Sequence, residues 1–76
     1  MNKTRRKAIE ALASQIEELK EQLTTIQEEE TEYYDNMPES FQGGEKGELS
    51  QAAIDSLESA AGSLEEVIEY LTSAVE

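Results

Sequence analysis

Two groups of side chains in this sequence have the chemistry to bind a small anionic ligand. The first holds four of the six cations within seven residues, and we call it the basic tip: Lys3, Arg5, Arg6 and Lys7. The second is mostly aromatic and lies near the middle of the chain: Tyr33, Tyr34, Asp35 and Phe41. Guanidinium groups suit phosphates, aromatic faces suit nucleobases, and a carboxylate such as that of Asp35 can accept hydrogen bonds from ribose hydroxyls. The combination predicts a nucleotide pocket with Lys3, Arg5 and Arg6 as phosphate ligands. In the alternative interpretation, Tyr33 completes an apolar seam and the others are ordinary surface.

No arrangement of residues points to catalysis. The chain has no histidine and no cysteine, which removes Ser-His-Asp and Cys-His sites and the commonest metal ligands. Gly43, Gly44 and Gly47 lack the spacing of a phosphate-binding loop, and the acids do not follow the pattern of a calcium loop. A carboxylate pair on an exposed acidic surface lacks the burial that tunes a general acid or base. We therefore expect a protein that is not an enzyme and that holds no metal and no cofactor.

Charge and hydropathy narrow the choice of partners. Eighteen acids against six basic residues give a formal net charge of −12 on 76 residues, which favours solubility and repels nucleic acid. No apolar run approaches the roughly 18 to 20 residues of a membrane span, and the basic start lacks the apolar core of a signal peptide. We expect a cytoplasmic protein that does not bind nucleic acid directly and has no membrane partner.

The first half of the chain has the apolar spacing of a long helix. Steps of three and four residues separate six aliphatic side chains: Ile9, Leu12, Ile16, Leu19, Leu23 and Ile26. Because an α-helix repeats every 3.6 residues, these positions form one narrow stripe that needs a partner helix. The pattern predicts a helix over about residues 3–34, capped by Asn2 or Thr4. Glu30 falls on the same stripe, so we expect it to face water, to pair with a cation of another chain or to mark where a bundle opens.

The last part of the chain predicts a second helix, over about residues 48–75. Its seam also advances by three and four residues: Ile54, Leu57, Ala61, Leu64, Ile68, Leu71 and Val75. Small apolar residues recur every seven positions beside it: Ala53, Ala60, Val67 and Ala74. The apolar face is therefore about three positions wide per heptad, which suits a helical bundle better than a two-stranded coiled coil.

Residues 35–47 connect the two predicted helices. Pro38 disfavours a helical conformation of Met37 and ends the first helix. Asn36 followed by Pro38 resembles a cap for one short helical turn, which Gly43 ends. Met37 and Phe41 are apolar enough to fold back as a hydrophobic plug. The connection is longer than the roughly 2 to 8 residues that join helices in bundles, which leaves a functional loop as the alternative.

These elements predict an all-α fold with one domain over residues 1–76, a helical hairpin of two long amphipathic helices. A lone hairpin leaves its wide apolar face in water, so we expect it to self-associate into an antiparallel four-helix or larger bundle, most simply as a homodimer. The oligomer seam is expected at the six aliphatic residues of the first helix and, in the second, at Leu57, Leu64, Ile68 and Leu71. Antiparallel pairing would carry the basic tip of one chain to the loop of another. It would thereby place the nucleotide pocket between subunits.

Two segments carry a resemblance to a known group of proteins. The stretch EEETEYYDNMPESFQGGEKGE, followed by AIDSLESAAGSLEEVIEYL, resembles small acidic helical-hairpin proteins of bacteriophages and prophages, which have a similar YYDNMPE stretch between two Glu-rich helices. The resemblance covers roughly residues 10 to 72. It implies an origin in a mobile element. The group has no assigned activity, so the resemblance assigns no role to any residue.

The functional prediction joins the pocket to this resemblance. Small non-catalytic phage proteins are often anti-defence factors: some mimic DNA and others sequester the nucleotide signals of host immunity. We expect sequestration of a phosphate-bearing nucleotide signal in the host cytoplasm, at a site between two copies of the chain. One alternative is an acidic DNA mimic, or another inhibitor that binds a basic host protein which handles nucleic acid. A second alternative is a structural or assembly accessory protein.

Overall fold

The computed structural model describes residues 1–76, of which 88% are helical, and it contains no strand. Three helices follow one another: α1 over Lys3–Asp35, α2 over Glu39–Gln42 and α3 over Glu45–Ala74. α1 and α3 pack side by side in opposite directions, and the hairpin extends over 58 × 14 × 13 Å. The prediction of an all-α helical hairpin is confirmed. None of the helices combines the length and the apolarity that crossing a membrane demands.

The ends of α1 are set by local hydrogen bonds. Asn2 is the N-cap, and its side-chain oxygen accepts a hydrogen bond of 2.8 Å from the amide of Arg5. Asn36 is the C-cap; its amide donates to the carbonyl oxygen of Glu32, and the amide of Met37 donates to that of Tyr34. The sequence pattern had suggested Asn36 as a cap for the following turn instead. Because Asn36 stays in the right-handed helical region, it closes α1 rather than opening α2.

The connection folds into one short helix and a tight turn. α2 is the short helical turn that the sequence predicts here; its N-cap is Pro38 rather than Asn36, and its C-cap is Gly43, where the turn was expected to end. α3 begins at Glu45, three residues before the predicted start at 48. Glu45 and Glu48 lie in its first turn, where negative side chains are favoured by the helix dipole.

Gly47 belongs to α3 rather than to the loop, and it is buried. A Cβ at this position would lie 1.9 Å from the carbonyl oxygen of Gln42. Only glycine allows the backbone of α2 to approach the first turn of α3 this closely. The connection is therefore a packed structure in which α2 lies against α3.

The contact between α1 and α3 uses half of the predicted seam on α1. Ile9, Ile16 and Leu23 are half-buried against α3, whose Leu57, Leu64, Ile68 and Leu71 are half-buried in return. The other α1 positions on this contact lie four residues after each isoleucine or leucine, and they are Ala13, Lys20 and Gln27. Two side-chain contacts set the antiparallel register: Lys20 pairs with Glu65, and Ser50 bonds to Glu30.

The other half of the α1 seam does not face α3. Leu12, Leu19 and Ile26 remain 50%, 55% and 51% exposed, and Tyr33 continues the row seven residues later at 54%. The predicted single stripe is therefore divided between the inside of the hairpin and an open flank. The chain as a whole buries three residues, Gly47, Ser50 and Ile54.

Candidate functional site

The basic tip and the aromatic group lie at opposite ends of the hairpin. Arg5 is in the first turn of α1 and Tyr33 in its last turns, which puts about 42 Å of helix between them at 1.5 Å per residue. All four cations of the tip are exposed. The predicted ligand set does not converge within one chain, so the tip can meet the aromatic residues only if it comes from a second copy.

Tyr33 and Tyr34 face different directions. Neighbouring residues on an α-helix diverge by about 100°, so two adjacent tyrosines do not form one stacking platform. Tyr33 stands on the open flank beside the loop. Tyr34 is half-buried at the contact with the connection, where its carbonyl oxygen accepts a 3.0 Å hydrogen bond from the side-chain amide of Gln42.

An open depression at the loop end, by which we mean residues 28–48, brings an aromatic pair and a cation together. Its lining consists of Tyr33, Asn36, Met37, Pro38, Phe41 and Lys46. The Lys46 ammonium lies 5.8 Å from the centre of the Phe41 ring, which is within the range of a cation–π contact. Phe41 is 52% exposed, so most of its ring is open to a ligand as well as to Lys46. We call this cluster the aromatic depression.

Sequence reasoning missed Lys46 as a member of the site. It assigned the cationic role to the basic tip because that is where the cations cluster along the chain. Lys46 reaches Phe41 because the turn at Gly43 and Gly44 folds α2 back onto the first turn of α3. The glycine pair is the signal that could have placed residues 41 and 46 side by side.

Glu30 is engaged inside the hairpin. Its carboxylate accepts a 2.5 Å hydrogen bond from the hydroxyl of Ser50, which is 4% exposed. The three situations expected for this residue did not include a hydroxyl partner on the same chain. The pair lies beside Tyr33, Leu49 and Ala53, which share a second shallow depression with it. A carboxylate on the seam is tolerated here because a small polar residue of α3 satisfies it.

Asp35 lies on the other flank of α1, away from the aromatic depression. It lines a long groove that contains no hydrophobic residue: Thr24, Gln27, Glu28, Thr31, Glu32, Asp35 and Asn36. Farther along the same flank a second groove is lined by Glu17, Lys20 and Glu21 together with threonines. We call the side of α1 that carries these two grooves the acidic flank. The structure thus separates Asp35 from Phe41, although the sequence suggested a common site.

Lys20 is the cation that the hairpin holds most firmly. Its ammonium forms an ion pair with Glu65 across the two helices, and both side chains are partly exposed. The hydrogen bond that the Lys20 ammonium donates to the Glu65 carboxylate raises the pKa of Lys20 above its ordinary value of 10.5, against a smaller opposing effect of desolvation. The pair positions α1 against α3 and leaves Lys20 unavailable as a free ligand group.

Comparisons with known proteins add no family to this description. No protein-family model matches the chain, and neither a curated protein nor a solved structure is similar to it. No group of three or more acidic side chains converges in the way that metal ligands do. The features of the chain that bear on its function are therefore the aromatic depression, the basic tip and the acidic flank.

Proposed function

We propose that the chain is a non-catalytic binding protein that sequesters a phosphate-bearing nucleotide at its loop end. The observation that carries the proposal is the aromatic depression, where Lys46 lies 5.8 Å from the ring of Phe41 and the exposed Tyr33 stands on the same side. An aromatic face stacks on a nucleobase with about 1 to 3 kcal/mol per base, and a lysine supplies a positive charge for phosphate.

The phosphate ligands are completed by a second copy of the chain. Lys46 is one cation among the acids of the loop end, so it holds a polyphosphate or a cyclic phosphate poorly without help. The basic tip has four exposed cations and lies at the far end of its own hairpin. In an antiparallel four-helix bundle the tip of one chain reaches the loop end of its partner. Each pair of chains then has two equivalent sites.

Binding of this kind is stoichiometric. The lining of the depression contains no carboxylate, histidine or cysteine, which fits a site that retains a bound nucleotide rather than converting it. The resemblance to bacteriophage hairpin proteins suggests the setting, in which the chain removes a nucleotide signal of host immunity from the host cytoplasm.

The acidic flank supports a second candidate function. Its grooves are lined by carboxylates, hydroxyls and amides, with Lys20 as their one cation and no apolar residue, and the chain carries a net charge of −12. A row of carboxylates along a rigid rod is complementary to a basic groove and accelerates association with it. The second candidate is therefore an inhibitor that occupies the nucleic-acid groove of a basic host protein.

Calorimetric titration with linear and cyclic adenine and guanine nucleotides tests the first proposal. We expect heat of binding with at least one of them, at one nucleotide per chain. Phe41→Ala should reduce the affinity at least tenfold, because it removes the stacking face. The double change Arg5→Glu and Arg6→Glu should abolish binding, because it reverses the charge that faces the phosphate.

Lys46→Gln tests the lysine of the depression, and Lys20→Gln is its matched control. Both changes remove one positive charge, but only Lys46 lies at the aromatic depression. Lys46→Gln should therefore weaken nucleotide binding, whereas Lys20→Gln should bind nucleotide like the unchanged protein. If no nucleotide in the panel produces heat or a thermal shift, sequestration is wrong. Replacement of Glu17, Glu28 and Glu32 by Gln should then be tried against a basic nucleic-acid-binding protein, because only the second candidate requires those charges.

A further inference from the structure

One flank of the hairpin carries a row of apolar residues on each of its two long helices. On α1 the exposed row is Leu12, Leu19, Ile26 and Tyr33, spaced by seven residues and between 50% and 55% exposed. On α3 the corresponding row is Ala53, Ala60, Val67 and Ala74, also spaced by seven, with Leu49 beside it. Leu49 and Val67 are 65% and 39% exposed. The two rows lie on the same side of the hairpin, because Tyr33 lines one depression together with Leu49 and Ala53.

The hairpin exposes more surface than a compact chain of its mass. The chain exposes 5633 Å². A compact folded monomer of 8.5 kDa exposes about 4,650 Å², so the elongated hairpin exposes about 1,000 Å² more than its mass requires. One partner in a protein–protein interface of standard size buries about 800 Å². Within this exposed surface the large aliphatic side chains of α1 are concentrated on one flank, and apolar side chains grouped in this way commonly mark an interaction surface.

We infer that this apolar flank is the contact with a second copy of the chain, and that the two copies pair with their loop ends pointing in opposite directions. The inference rests on the self-association contained in the proposed function, but not on the nucleotide. It assigns the contact between the two copies to the exposed apolar rows of α1 and α3, which include Leu19 and Val67. The acidic flank then stays exposed on the outside of the pair. The inference also sets the direction of pairing, which decides whether the basic tip can reach the aromatic depression.

The occupant is a second copy because the flank is complementary to itself. A two-fold axis across the middle of the rod, perpendicular to the helices, packs α1 against the partner's α1 and α3 against the partner's α3. Large aliphatic residues then meet in one half of the interface and alanines in the other, where the helices can approach closely. Neither row contains a charged residue, and the two charged residues in the depression between the rows at the loop end, Glu30 and Lys46, have opposite signs.

The distribution of charge along the rod favours pairing with the two loop ends pointing in opposite directions. The loop end carries eight acids and one lysine between residues 28 and 48, whereas the basic tip carries four cations. If the two loop ends met, the acids of both copies would lie at one end and both tips at the other, and each end would repel itself. In the opposite direction each basic tip meets an acidic loop end. Like charges are thereby separated by the length of a 58 Å rod, far beyond the roughly 8 Å screening length at physiological salt.

The chain has no cysteine, so single cysteines can report the direction by spin labelling. Ser40→Cys places a nitroxide at the exposed loop end, and electron–electron dipolar spectroscopy measures the distance between the two labels of a pair. Opposed loop ends put the labels about 50 Å or more apart, because they stand at the two ends of a 58 Å rod. Loop ends on the same side put them within about 25 Å, since packed helices lie only 8 to 10 Å apart.

Ser59→Cys is the matched control. It lies on the exposed face near the middle of α3, so its two labels lie close together whichever direction is adopted. A distribution near 50 Å for Ser40→Cys with a short one for Ser59→Cys supports the inference. A short distance for Ser40→Cys overturns it.

A pair of charge insertions tests the contact surface. Ile26→Glu puts a carboxylate in the exposed apolar row, whereas Thr25→Glu puts the same charge on the outer face one residue earlier. Sedimentation at micromolar concentration should give twice the chain mass for the unchanged protein and for Thr25→Glu, but one chain mass for Ile26→Glu with its helical circular dichroism retained. A monomeric unchanged protein overturns the inference, including the case in which some other molecule covers the flank. A dimer that binds no nucleotide leaves it standing and refutes sequestration alone.

Discussion

At the loop end, α3 packs closely against both α1 and α2, and the three buried residues of the chain, Gly47, Ser50 and Ile54, lie within it or in the next six residues of α3. Toward the basic tip the same two helices touch along half-buried side chains, and no residue is buried. The Lys20–Glu65 and Ser50–Glu30 pairs fix which residues of α1 lie opposite which residues of α3. If this register is extended toward the tip, roughly the first turn or two of α1 lies beyond the end of α3.

The difference between the two ends teaches where the stability of one chain resides. Contacts at the loop end join residues that are close in sequence, so their loop-closure cost is small and they form without help from a partner. Toward the tip, apolar side chains are still half in water, and their full burial depends on a second hairpin. The loop end is the more tightly packed part of the single chain, whereas in the proposed dimer the second hairpin covers the apolar side chains that the tip half leaves exposed.

The largest expected contrast concerns two isoleucines on the α1–α3 contact. Ile54→Ala should lower the free energy of unfolding by about 3 kcal/mol, because Ile54 is 9% exposed and its removal leaves a cavity. Ile16→Ala, in the tip half, should cost about half as much, since its side chain is only half-buried. Urea unfolding followed by circular dichroism measures both. Equal losses would contradict the distinction between the two ends.

Two glycines on α3 should respond with opposite signs. Gly47→Ala should destabilise the chain by about 2 kcal/mol, because the new Cβ would overlap the backbone of α2. Gly62→Ala should stabilise it by up to about 1 kcal/mol, since nothing lies within 4 Å of the added carbon and alanine favours the helix. Thermal unfolding of the two variants measures the pair. A stabilising Gly47→Ala would show that α2 is not held against α3.

A smaller effect is expected at the hydrogen bond between Ser50 and Glu30. Ser50→Ala should cost about 1 kcal/mol, because it leaves a partly buried carboxylate without its donor. Ser59→Ala is the control, since that hydroxyl is exposed and makes no hydrogen bond in the structure. Chemical denaturation should show a loss at residue 50 alone. If the control loses as much, the Glu30 contact contributes nothing specific.

The smallest effect is a pH dependence in the middle of the rod. The pKa of Lys20 is raised in the folded chain by its hydrogen bond to Glu65, so the stabilisation is fully present below 10.5, its ordinary value, and is lost as pH rises through the raised value. The difference in unfolding midpoint between the unchanged protein and Lys20→Gln should therefore be constant at neutral pH and shrink above about pH 10.5. Subtracting the Lys20→Gln profile removes every pH-dependent contribution that the two proteins share. A difference that persists to higher pH would show that the ion pair is not its source.

Much of the secondary structure follows from local chemistry. The heptad spacing of Ile9 to Ile26 predicts a long helix, Asn2 caps it, and Pro38 with Gly43 brackets the short turn that the structure has. These features depend on interactions between residues at most a few positions apart, which is why they can be derived from the order of residues alone. The start of α3 was placed too late because Gly47 was taken for a loop residue, although its role is to permit close packing.

The site depends on relations that no local pattern contains. The apolar spacing along α1 predicts which positions avoid water, but it does not predict how α1 is rotated about its own axis relative to α3. The tertiary structure decides that rotation: Ile9, Ile16 and Leu23 turn inward and Leu12, Leu19 and Ile26 turn outward. The same packing separates Tyr33 from Tyr34 and brings Lys46 to Phe41. The sequence by itself determined that two amphipathic helices form and where their chain reverses, because helix period, caps and breakers act locally. Only the tertiary structure decided which apolar row stays exposed. The apolar face of each helix is wider than the other helix of the hairpin can cover, so the two helices could pack together in more than one way.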